Sequence, residues 1–418
     1  MISVTDAIQT VKDKITPLQP EAVSLSNALG RYLAEDIIAD SDLPPFNRAQ
    51  MDGYAVRAAD IETATPDAPA RLRIAGESAA GRGWHNEMRS GEAVRIMTGA
   101  PVPKGADSVQ QIELTREVDG TGEVNANRDL NGSGVVEIFQ AVETGRSIVP
   151  RGTEIKEGDT VLRSGEHINA AMTAVLASFG YAEVKVGTRP RTAVLATGTE
   201  LVRVNQKPGQ DQIRDSNTYS LAAYAAQAGA DVDCLPLAGD DTELLKKQID
   251  QASRTSNLVV ASGGVSMGVY DFTKAALKEL DAEIFFERVA LRPGKPTVFA
   301  RLPNGTFVFG LPGNPVSVSV TFNLFARTAI LAMQGAQQAI LEEHFARLER
   351  NVKGSEDRES YLPALLKTDQ AGYFVAEPLK WGGSSDFVAF ARANGLIKVP
   401  TGTKTLNPDS IVRVLRLP

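Results

Sequence analysis

The 418-residue chain contains one cysteine, Cys234, and three histidines. A single cysteine excludes an internal disulfide framework and is typical of a protein kept in a reducing compartment. So few histidines and cysteines argue against a His/Cys zinc site and against a Ser-His-Asp triad. Any chemistry therefore has to use carboxylates, hydroxyls, lysines and arginines, with a hard metal such as Mg²⁺.

The chain also lacks a net positive charge, and we expect no apolar run long enough to span a membrane. Its formal net charge is −7, and it has no basic tract of the kind that binds nucleic acid or a membrane surface. Met1 to Lys14 lack the charged start, apolar run and cleavage site of a signal peptide, and no apolar stretch approaches the length of a membrane span. We therefore expect no nucleic acid and no membrane among the partners, and a cytoplasmic location.

What the chain does contain is a regular alternation of strand-like and helix-like segments between residues 186 and 335. Such alternation predicts a three-layer α/β domain with a mostly parallel sheet. The pair Asn304-Gly305 predicts a hairpin turn, and Asn314 followed by Pro315 predicts the start of a long helix. The predicted strands are 192–196, 231–237, 258–262, 283–289 and 306–311, and the predicted helices are 216–228, 242–252, 272–280 and 316–333.

The flanking regions predict further parts. Residues 3–14 and 22–33 have apolar residues at helical spacing, so we expect the chain to begin with two helical segments. Residues 51–145 contain short alternating runs between turn residues and predict an inserted β-rich module. Residues 336–418 return to this pattern and predict a small barrel or sandwich. The predicted domains are 1–50 with 146–185 as one discontinuous domain, 51–145, 186–335 and 336–418.

In an open parallel sheet, ligands bind beyond the carboxyl ends of the strands. The segments expected at this edge are rich in glycine, hydroxyls and charge. They are 196–201, 213–217, 239–241, 262–268 with Asp271, 291–296 and 312–315. Backbone N–H groups, Arg292 and Lys295 would hold phosphate, while carboxylates would hold a metal. Together these loops predict a phosphorylated ligand chelated by Mg²⁺.

Each of these features alone also has an ordinary structural explanation. Asp240 stands three residues before Glu243, which is the spacing of a capping box, and Ser216 has the type and place of a helix cap. Arg292 and Lys295 are consistent with solvated surface charges. The glycine turn contains neither the G-x-G-x-x-G of dinucleotide-binding folds nor the G-x-x-x-x-G-K-[ST] of P-loops. The residues alone leave both interpretations open.

Six strings in the chain resemble the MoeA family of molybdopterin molybdenumtransferases, occur in that family's order and span nearly the full length. They are Met51-Asp52-Gly53-Tyr54-Ala55-Val56, Met97-Thr98-Gly99-Ala100-Pro101-Val102-Pro103, Ala196-Thr197-Gly198-Thr199-Glu200-Leu201, Ser262-Gly263-Gly264-Val265-Ser266, Arg292-Pro293-Gly294-Lys295-Pro296 and Leu311-Pro312-Gly313-Asn314-Pro315-Val316-Ser317. Each string is short, but six in order are highly specific. The resemblance implies an elongated domain, an inserted β-rich module, a central α/β domain of the molybdopterin-binding type and a C-terminal β-barrel.

The resemblance also implies a function. Members of this family insert molybdate into adenylylated molybdopterin with release of AMP, use Mg²⁺, and act as homodimers whose cleft lies between the central domain of one subunit and the inserted module of the other. A molybdopterin adenylyltransferase supplies the substrate. The implied catalytic residues are Asp52, Thr98, Glu200, Asp240 and Asp271, of which Glu200, Asp240 and Asp271 are the implied metal ligands. The implied substrate-binding residues are Thr197, Gly198, Ser216, Asn217, Ser262, Gly263, Gly264, Val265, Ser266, Arg292, Lys295, Pro312, Gly313, Asn314, Pro315, Arg358 and Ser384.

The chain departs from the family pattern at a few positions. The string Asn47-Arg48-Ala49-Gln50 differs from the family's usual residues, and Arg292 stands where lysine is frequent, which keeps the charge but changes the donor geometry. In the C-terminal domain, Arg358 is retained, and Pro363 stands where the family often has a second arginine.

Two other functions stay open. The central domain is also consistent with adenylylation of molybdopterin, which would require activity with ATP. A non-catalytic scaffold like the gephyrin E domain, a relative of this family, would not bind adenylylated molybdopterin.

Overall fold

The structure of the protein is a computed structural model that describes residues 1–118, 134–264 and 272–418. The chain divides into two compact units. The smaller unit consists of Asp36–Leu162 and Ser178–Gly180, and the larger unit consists of Met1–Glu35, Arg163–Ala177 and Tyr181–Pro418. The four domain boundaries expected from the sequence stay predictions.

The smaller unit is built around a six-stranded sheet. Its core includes Tyr54, Leu72 and Val136, which are buried in one apolar cluster. The predicted β-rich module is therefore confirmed. In spatial order the strands are Ser108–Gln111, Gly53–Val56, Glu92–Ile96, Ala70–Ser78, Gly134–Ile138 and Thr115–Val118. Two short antiparallel pairs join Ile37–Ile38 to Thr160–Leu162 and Arg48–Ala49 to Ile148–Val149, and single 3₁₀ turns occur at Ala58–Ile61 and Ile112–Leu114.

The larger unit begins with one helix where we expected two. The helix Val4–Lys14 is capped by Ser3 and buries Val4, Ala7 and Val11, as its apolar spacing predicts. The second predicted helix, over 22–33, is wrong. That region instead forms the strand Glu21–Ser24, which pairs with Glu183–Val186, and the 3₁₀ turn Leu25–Asn27.

Short polar side chains explain this difference. Asn27 Nδ2 donates to Ser24 Oγ (3.1 Å), and the hydroxyls of Ser24 and Ser26 are 3.0 Å apart. Serine and asparagine that bond to each other locally compete with helix formation. The helix Ala170–Ser178 follows further along the chain.

The centre of the larger unit is a six-stranded, mostly parallel sheet. In spatial order its strands are Asp231–Cys234, Arg191–Ala196, Leu258–Ser262, Phe307–Leu311, Val298–Arg301 and Glu283–Phe286. The first four are parallel, and the last two pair antiparallel. Val298–Arg301 and Phe307–Leu311 form the hairpin predicted at Asn304-Gly305.

Alternate residues of the central strands pack on opposite layers of helices. Val194 and Val260 lie in a cluster with Leu221, whereas Leu195 and Ala261 lie in a different cluster on the other face. This arrangement confirms the three-layer α/β prediction. The first layer contains the helices Asn217–Gln227 and Pro315–Met333, and the second contains Thr242–Ser253 and Phe272–Glu279.

The helix Pro315–Met333 is the longest in the described part of the chain. It consists of the α-helical segments Pro315–Thr321 and Arg327–Met333 with a π-helical segment, Phe322–Ala326, between them. It is also the one helix among the described residues with the length and apolar composition of a membrane span, so the expectation that no apolar stretch approaches that length is wrong. Because 89% of its most apolar stretch is buried inside the protein, it has the burial of a core helix.

The last part of the larger unit is a five-stranded β-barrel. Its strands are Glu359–Thr368, Phe374–Pro378, Glu343–Leu348, Ile411–Arg416 and Gly395–Val399, and Glu359–Thr368 pairs with both Phe374–Pro378 and Gly395–Val399 to close the barrel. The sequence patterns did not predict Glu359–Thr368, because Pro363 within it is unusual for an interior strand. Short pairs join Val352–Lys353 to Thr405–Leu406 and Leu201–Val202 to Ile213–Arg214.

Candidate active site

The loop after the strand Arg191–Ala196 is tied to two neighbouring loops. Thr197 donates its amide N–H to Ser262 O (2.8 Å) and its hydroxyl to Gly239 O (2.7 Å). Gly263 has a φ of +93°, and a Cβ at this position would lie 2.3 Å from the carbonyl oxygen of Thr197. Glycine at residue 263 therefore lets the ends of adjacent parallel strands approach each other.

Asn217 joins two further loops at the same edge of the sheet. Its Nδ2 donates to Ser262 Oγ (2.9 Å) and to Gly313 O (2.7 Å). Ser262 in turn donates its hydroxyl to Pro312 O (3.2 Å). The loops that end the strands Leu258–Ser262 and Phe307–Leu311 are thus held together by side chains of the predicted site.

The helix that starts at Asn217 is capped by the residue before the one we expected. Asp215, a buried carboxylate with 6% exposure, accepts the backbone N–H of Thr218 at 3.1 Å. Ser216 makes no capping bond with its side chain. A capping role therefore does not explain why a serine occurs at residue 216.

Asp240 likewise does not form the capping box that its spacing from Glu243 suggested. The following helix starts at Thr242, one residue later than that spacing requires, and Asp241 caps it by accepting the N–H of Leu244 (3.1 Å). Asp240 instead accepts hydrogen bonds from the hydroxyl (3.0 Å) and the N–H (3.3 Å) of Thr199. This bond directs the Asp240 carboxylate to the loop that carries Glu200.

These residues line a cavity of about 960 Å³, here called the acidic cavity. Its lining carboxylates are Glu200, Asp215 and Asp240, and one lining cation, Arg214, is present among the described residues. Two helices begin at this cavity, at Asn217 and at Pro315. Other predicted site residues in its lining are Thr197, Gly198, Ser216, Gly263, Gly264, Pro312, Gly313 and Asn314.

The acidic cavity has the ligand types that a hard cation prefers. Glu200 and Asp240 are exposed carboxylates, and the carboxylate of Glu200 lies over Gly198, so close that a Cβ there would be 2.5 Å from its oxygens. Oxygen donors of this kind suit Mg²⁺. Within the described ranges, no group of three or more His, Cys, Asp or Glu side chains is arranged to hold a metal. Asp271, the third predicted ligand, lies outside these ranges, as do Val265 and Ser266.

A second cavity of about 900 Å³, here called the basic cavity, adjoins the first. Five cations line it: Arg292, Lys295, Lys353, Arg358 and Lys380. No carboxylate is among its described lining residues. In the described part of the chain, only Arg358 of these five has a carboxylate within 4.0 Å, that of Asp357 at 3.3 Å. The basic cavity is therefore a strongly positive site in a chain of net charge −7.

The structure separates residues that we expected on one edge of the sheet. Arg292 and Lys295 line the basic cavity, whereas Glu200 and Asp240 line the acidic cavity. The reason is that Leu291–Arg292 pairs with the barrel strand Glu359–Thr368, which brings this part of the loop against the barrel domain.

The two cavities are nevertheless neighbours. Pro296 lines both, and Asn314 of the acidic cavity donates from Nδ2 to the Oγ of Ser384, which lines the basic cavity, at 3.0 Å. Arg358 and Ser384, both from the barrel domain, thus share one cavity with Arg292 and Lys295.

Asp52 and Thr98 form a pair within the smaller unit. The Thr98 backbone N–H and hydroxyl both donate to Asp52 Oδ1 at 2.7 Å. These two bonds, with a smaller contribution from the charge of Arg95, hold the pKa of Asp52 below its usual value. Both residues are exposed, so the pair presents a fixed negative charge at the surface of this unit.

Among the charged and aromatic residues that line the basic cavity, three were not predicted. Lys353, Lys380 and Trp381 belong to the barrel domain, where no strand-end rule marks them. The only signal was local: Lys380 and Trp381 directly precede Gly382-Gly383, a flexible pair typical of a binding loop.

Comparison with known proteins first defines the class. Residues 193–332, which contain most of the central sheet and most of the acidic-cavity lining, match the family described as a probable molybdopterin binding domain. Residues 2–180 match the MoeA N-terminal region (domain I and II), and residues 346–417 match the MoeA C-terminal region (domain IV). The protein is thus of the molybdopterin-binding class, with the flanking regions of one family on both sides.

Relatives over the whole chain agree with this assignment. The chain is 34% identical over 416 residues to a molybdopterin molybdenumtransferase of Bacillus subtilis, with 99% of this chain and 94% of the relative covered. It is 33% identical over 414 residues to that of Staphylococcus epidermidis, with 99% and 95% covered. A crystal structure of a molybdopterin biosynthesis MoeA protein from Pyrococcus horikoshii is similar with a TM-score of 0.80 and 32% identity, covering 100% of this chain and 99% of that chain.

The chain therefore belongs to the MoeA family. Its activity is that of a molybdopterin molybdenumtransferase, a transferase of molybdenum cofactor biosynthesis that acts on molybdopterin.

Proposed function

We propose that the two adjoining cavities bind the two ends of one substrate, adenylylated molybdopterin. The adenylate and its phosphoanhydride would lie in the acidic cavity, and molybdate and the pterin end would lie in the basic cavity. The observation that carries this proposal is the separation of charge. Among the described residues, carboxylates and helix starts line one cavity, and five cations and no carboxylate line the other. A ligand with a chelated anhydride at one end and oxyanion chemistry at the other matches that separation.

Phosphate groups in the acidic cavity would be held by backbone N–H groups. The helices that begin at Asn217 and Pro315 point their N-termini at this cavity, and helix N-termini favour anions. Gly263 and Gly264 keep side chains out of the approach. The cavity therefore supports phosphate binding without the G-x-x-x-x-G-K-[ST] loop, which the chain lacks.

Glu200 and Asp240 would hold Mg²⁺, which would supply charge neutralisation at the anhydride. The bond from Thr199 fixes the Asp240 carboxylate before substrate arrives. In the reaction, a water oxygen would form a new bond to phosphorus, the anhydride P–O bond would break, and AMP would leave. The protein's part is positioning and electrostatics, because the buried hydroxyl and carboxylate of the described lining are already engaged: Thr197 donates to Gly239 O, and Asp215 accepts the N–H of Thr218.

In the basic cavity, Arg292, Lys295 and Arg358 would bind molybdate through charge-assisted hydrogen bonds. Ser384 would add a hydroxyl, and its bond to Asn314 would couple the positions of the two substrate ends. Molybdate would thereby be concentrated next to the dithiolene that receives it.

The proposed active form is a cytoplasmic homodimer in which Asp52 and Thr98 of one copy complete the acidic cavity of the other. In support, the Asp52 carboxylate is exposed, held by two bonds from Thr98 and ionised well below neutral pH. The single free cysteine, Cys234, supports a reducing compartment. A molybdopterin adenylyltransferase would supply the substrate.

The experiment is AMP release from adenylylated molybdopterin, measured with and without molybdate and Mg²⁺. We expect release to require both, and Asp240→Asn to lower kcat by about 100-fold, the size typical of losing one preorganised electrostatic group. Asp241→Ala is the matched control, because it removes the neighbouring carboxylate but only a helix cap. Wild-type release without Mg²⁺, or full activity of Asp240→Asn, would refute the proposed role.

The same assay separates the alternatives. Consumption of ATP with free molybdopterin would identify an adenylyltransferase, and absence of any binding of adenylylated molybdopterin would identify a scaffold. For the homodimer, Asp52→Asn and Asp240→Asn proteins are each expected to be inactive, and their mixture is expected to regain partial activity as subunits exchange. A mixture that exchanges subunits yet stays inactive would contradict a shared site.

A further inference from the structure

Trp381 is the one large aromatic side chain in the described lining of the basic cavity. It is partly buried and packs against two apolar clusters, that of the central domain and that of the barrel. A tryptophan held from behind by two cores has little freedom to rotate, so the part of the ring that faces the cavity is a fixed apolar surface.

The surroundings of this ring are cationic. Lys380 is its direct neighbour in sequence, and Lys353 and Arg358 line the same cavity from another segment of the barrel domain. None of the three lysines of the cavity, Lys295, Lys353 and Lys380, has a carboxylate within 4.0 Å among the described residues. An aromatic surface surrounded by unpaired cations fits a ligand that is both planar and anionic.

Simple oxyanions do not need such a surface. Molybdate is compact and hydrated, and cations with a hydroxyl are sufficient to bind it. A fused heteroaromatic ring, by contrast, gains from stacking on an indole, and stacking of this kind is worth about tenfold or more in affinity. The ring therefore serves the organic part of the substrate and not its metal oxyanion.

We propose that Trp381 is a specificity-determining residue that stacks on the pterin ring of the substrate, with Lys353 and Lys380 beside it as partners for the attached anionic group. This inference rests on the proposed function, since it assumes that the pterin end lies in the basic cavity. It locates that end against the barrel domain, on the side of Trp381.

The probe is pterin-6-carboxylate, which has the ring and one negative charge, and molybdate serves as the probe without a ring. Equilibrium dialysis would measure the Kd of the full-length protein for each. We expect Trp381→Leu, which keeps apolar bulk but removes the aromatic surface, to raise the Kd for pterin-6-carboxylate about tenfold. The Kd for molybdate is expected to change less than about twofold, and Trp381→Phe is expected to restore part of the pterin affinity.

Arg358→Gln is the matched variant on the charge side, and it is expected to weaken both probes. With adenylylated molybdopterin, Trp381→Leu is expected to raise KM with little change in kcat, because stacking binds the substrate and the transition state alike. If Trp381→Leu fails to fold, Trp381→Phe alone tests the stacking role. Its affinity for pterin-6-carboxylate is expected to fall about threefold, and its affinity for molybdate is expected to stay unchanged.

Unchanged pterin affinity in Trp381→Leu, or an equal loss for both probes, would overturn the inference. Either result is separable from failure of the proposed function, which would appear as absence of AMP release in the wild-type protein. Trp84→Leu, the same change at the other tryptophan, lies in the smaller unit and is expected to leave both Kd values unchanged.

Discussion

Replacement of Asn217 by alanine tests whether the site depends on the way its loops are tied together. Asn217 Nδ2 donates to Ser262 Oγ at 2.9 Å and to Gly313 O at 2.7 Å. Each bond contributes about 0.5–1.5 kcal/mol to the free energy of unfolding, so Asn217→Ala is expected to cost about 2 kcal/mol. Ser262 still donates to Pro312 O, and Gly313 is exposed to water, so no large additional penalty arises.

For a domain of this size, about 1 kcal/mol lowers Tm by about 2–4 °C, so Asn217→Ala is expected to lower it by about 6 °C. The effect on activity is expected to be larger than stability alone explains. Asn217 holds two loops of the acidic cavity in register, and misplacement of binding groups by a fraction of an ångström reduces kcat/KM, here by at least about tenfold. Differential scanning calorimetry and AMP release measure the two effects.

Asn304→Ala is a matched control at the opposite edge of the sheet. Asn304 Nδ2 also donates to a serine Oγ and a carbonyl, those of Ser253, at 2.9 and 3.3 Å. Its loss is expected to lower Tm by a similar amount and to leave kcat/KM unchanged. Equal activity in the two variants at a temperature where both are folded would refute the positioning role of Asn217.

Three other substitutions test separate parts of the structure. Asp241→Ala is expected to cost about 1 kcal/mol in urea unfolding, because it removes the side-chain cap of its helix, with no effect on AMP release; a large loss of activity would mean that the helix cap is also part of the site. Gly263→Ala is expected to lower the free energy of unfolding by at least about 1–3 kcal/mol in the same measurement. The reason is that a Cβ would lie 2.3 Å from a carbonyl oxygen, at a φ of +93°. An unchanged urea midpoint would contradict this backbone geometry. Glu137→Gln is expected to lower the Tm of the smaller unit, because the Glu137 carboxylate is buried and accepts bonds from Arg116 and Arg71 that lower its pKa. A carboxyl group whose pKa is lowered on folding stabilises the folded state at pH values above its ordinary pKa. The Tm difference between wild type and Glu137→Gln should therefore be largest at neutral pH and vanish as the pH falls through the lowered pKa. A Tm difference that grows on acidification would contradict this.

The central α/β domain was predictable because its signals are local and mutually consistent. The strand Leu258–Ser262 is an unbroken apolar run buried at every position, and its glycine turn follows directly. The hairpin at Asn304-Gly305 and the helix start at Asn314-Pro315 also follow from turn and cap chemistry. Such features depend on a few neighbouring residues, so they can be recognised without tertiary information.

The features that were missed depend on contacts between distant segments. The strand Glu21–Ser24 is stabilised by pairing with Glu183–Val186, more than 150 residues away in the chain, and its own apolar spacing indicated a helix. The basic cavity combines a loop of the central domain with Lys353, Lys380 and Trp381 of the barrel. No spacing rule joins these segments, so the sequence predicted the cations Arg292 and Lys295 but not the separate cavity that they line together with the barrel residues.

Paired measurement of AMP release and molybdenum incorporation in a single turnover tests the central claim most directly. If the adjoining acidic and basic cavities act on the two ends of one substrate, AMP and the molybdenum-containing product should appear together in equal amounts, and only with both molybdate and Mg²⁺ present. Arg292→Gln and Asp240→Asn should then each slow AMP release and molybdenum incorporation together. Rapid AMP release without molybdenum incorporation, or incorporation without AMP release, would contradict the account.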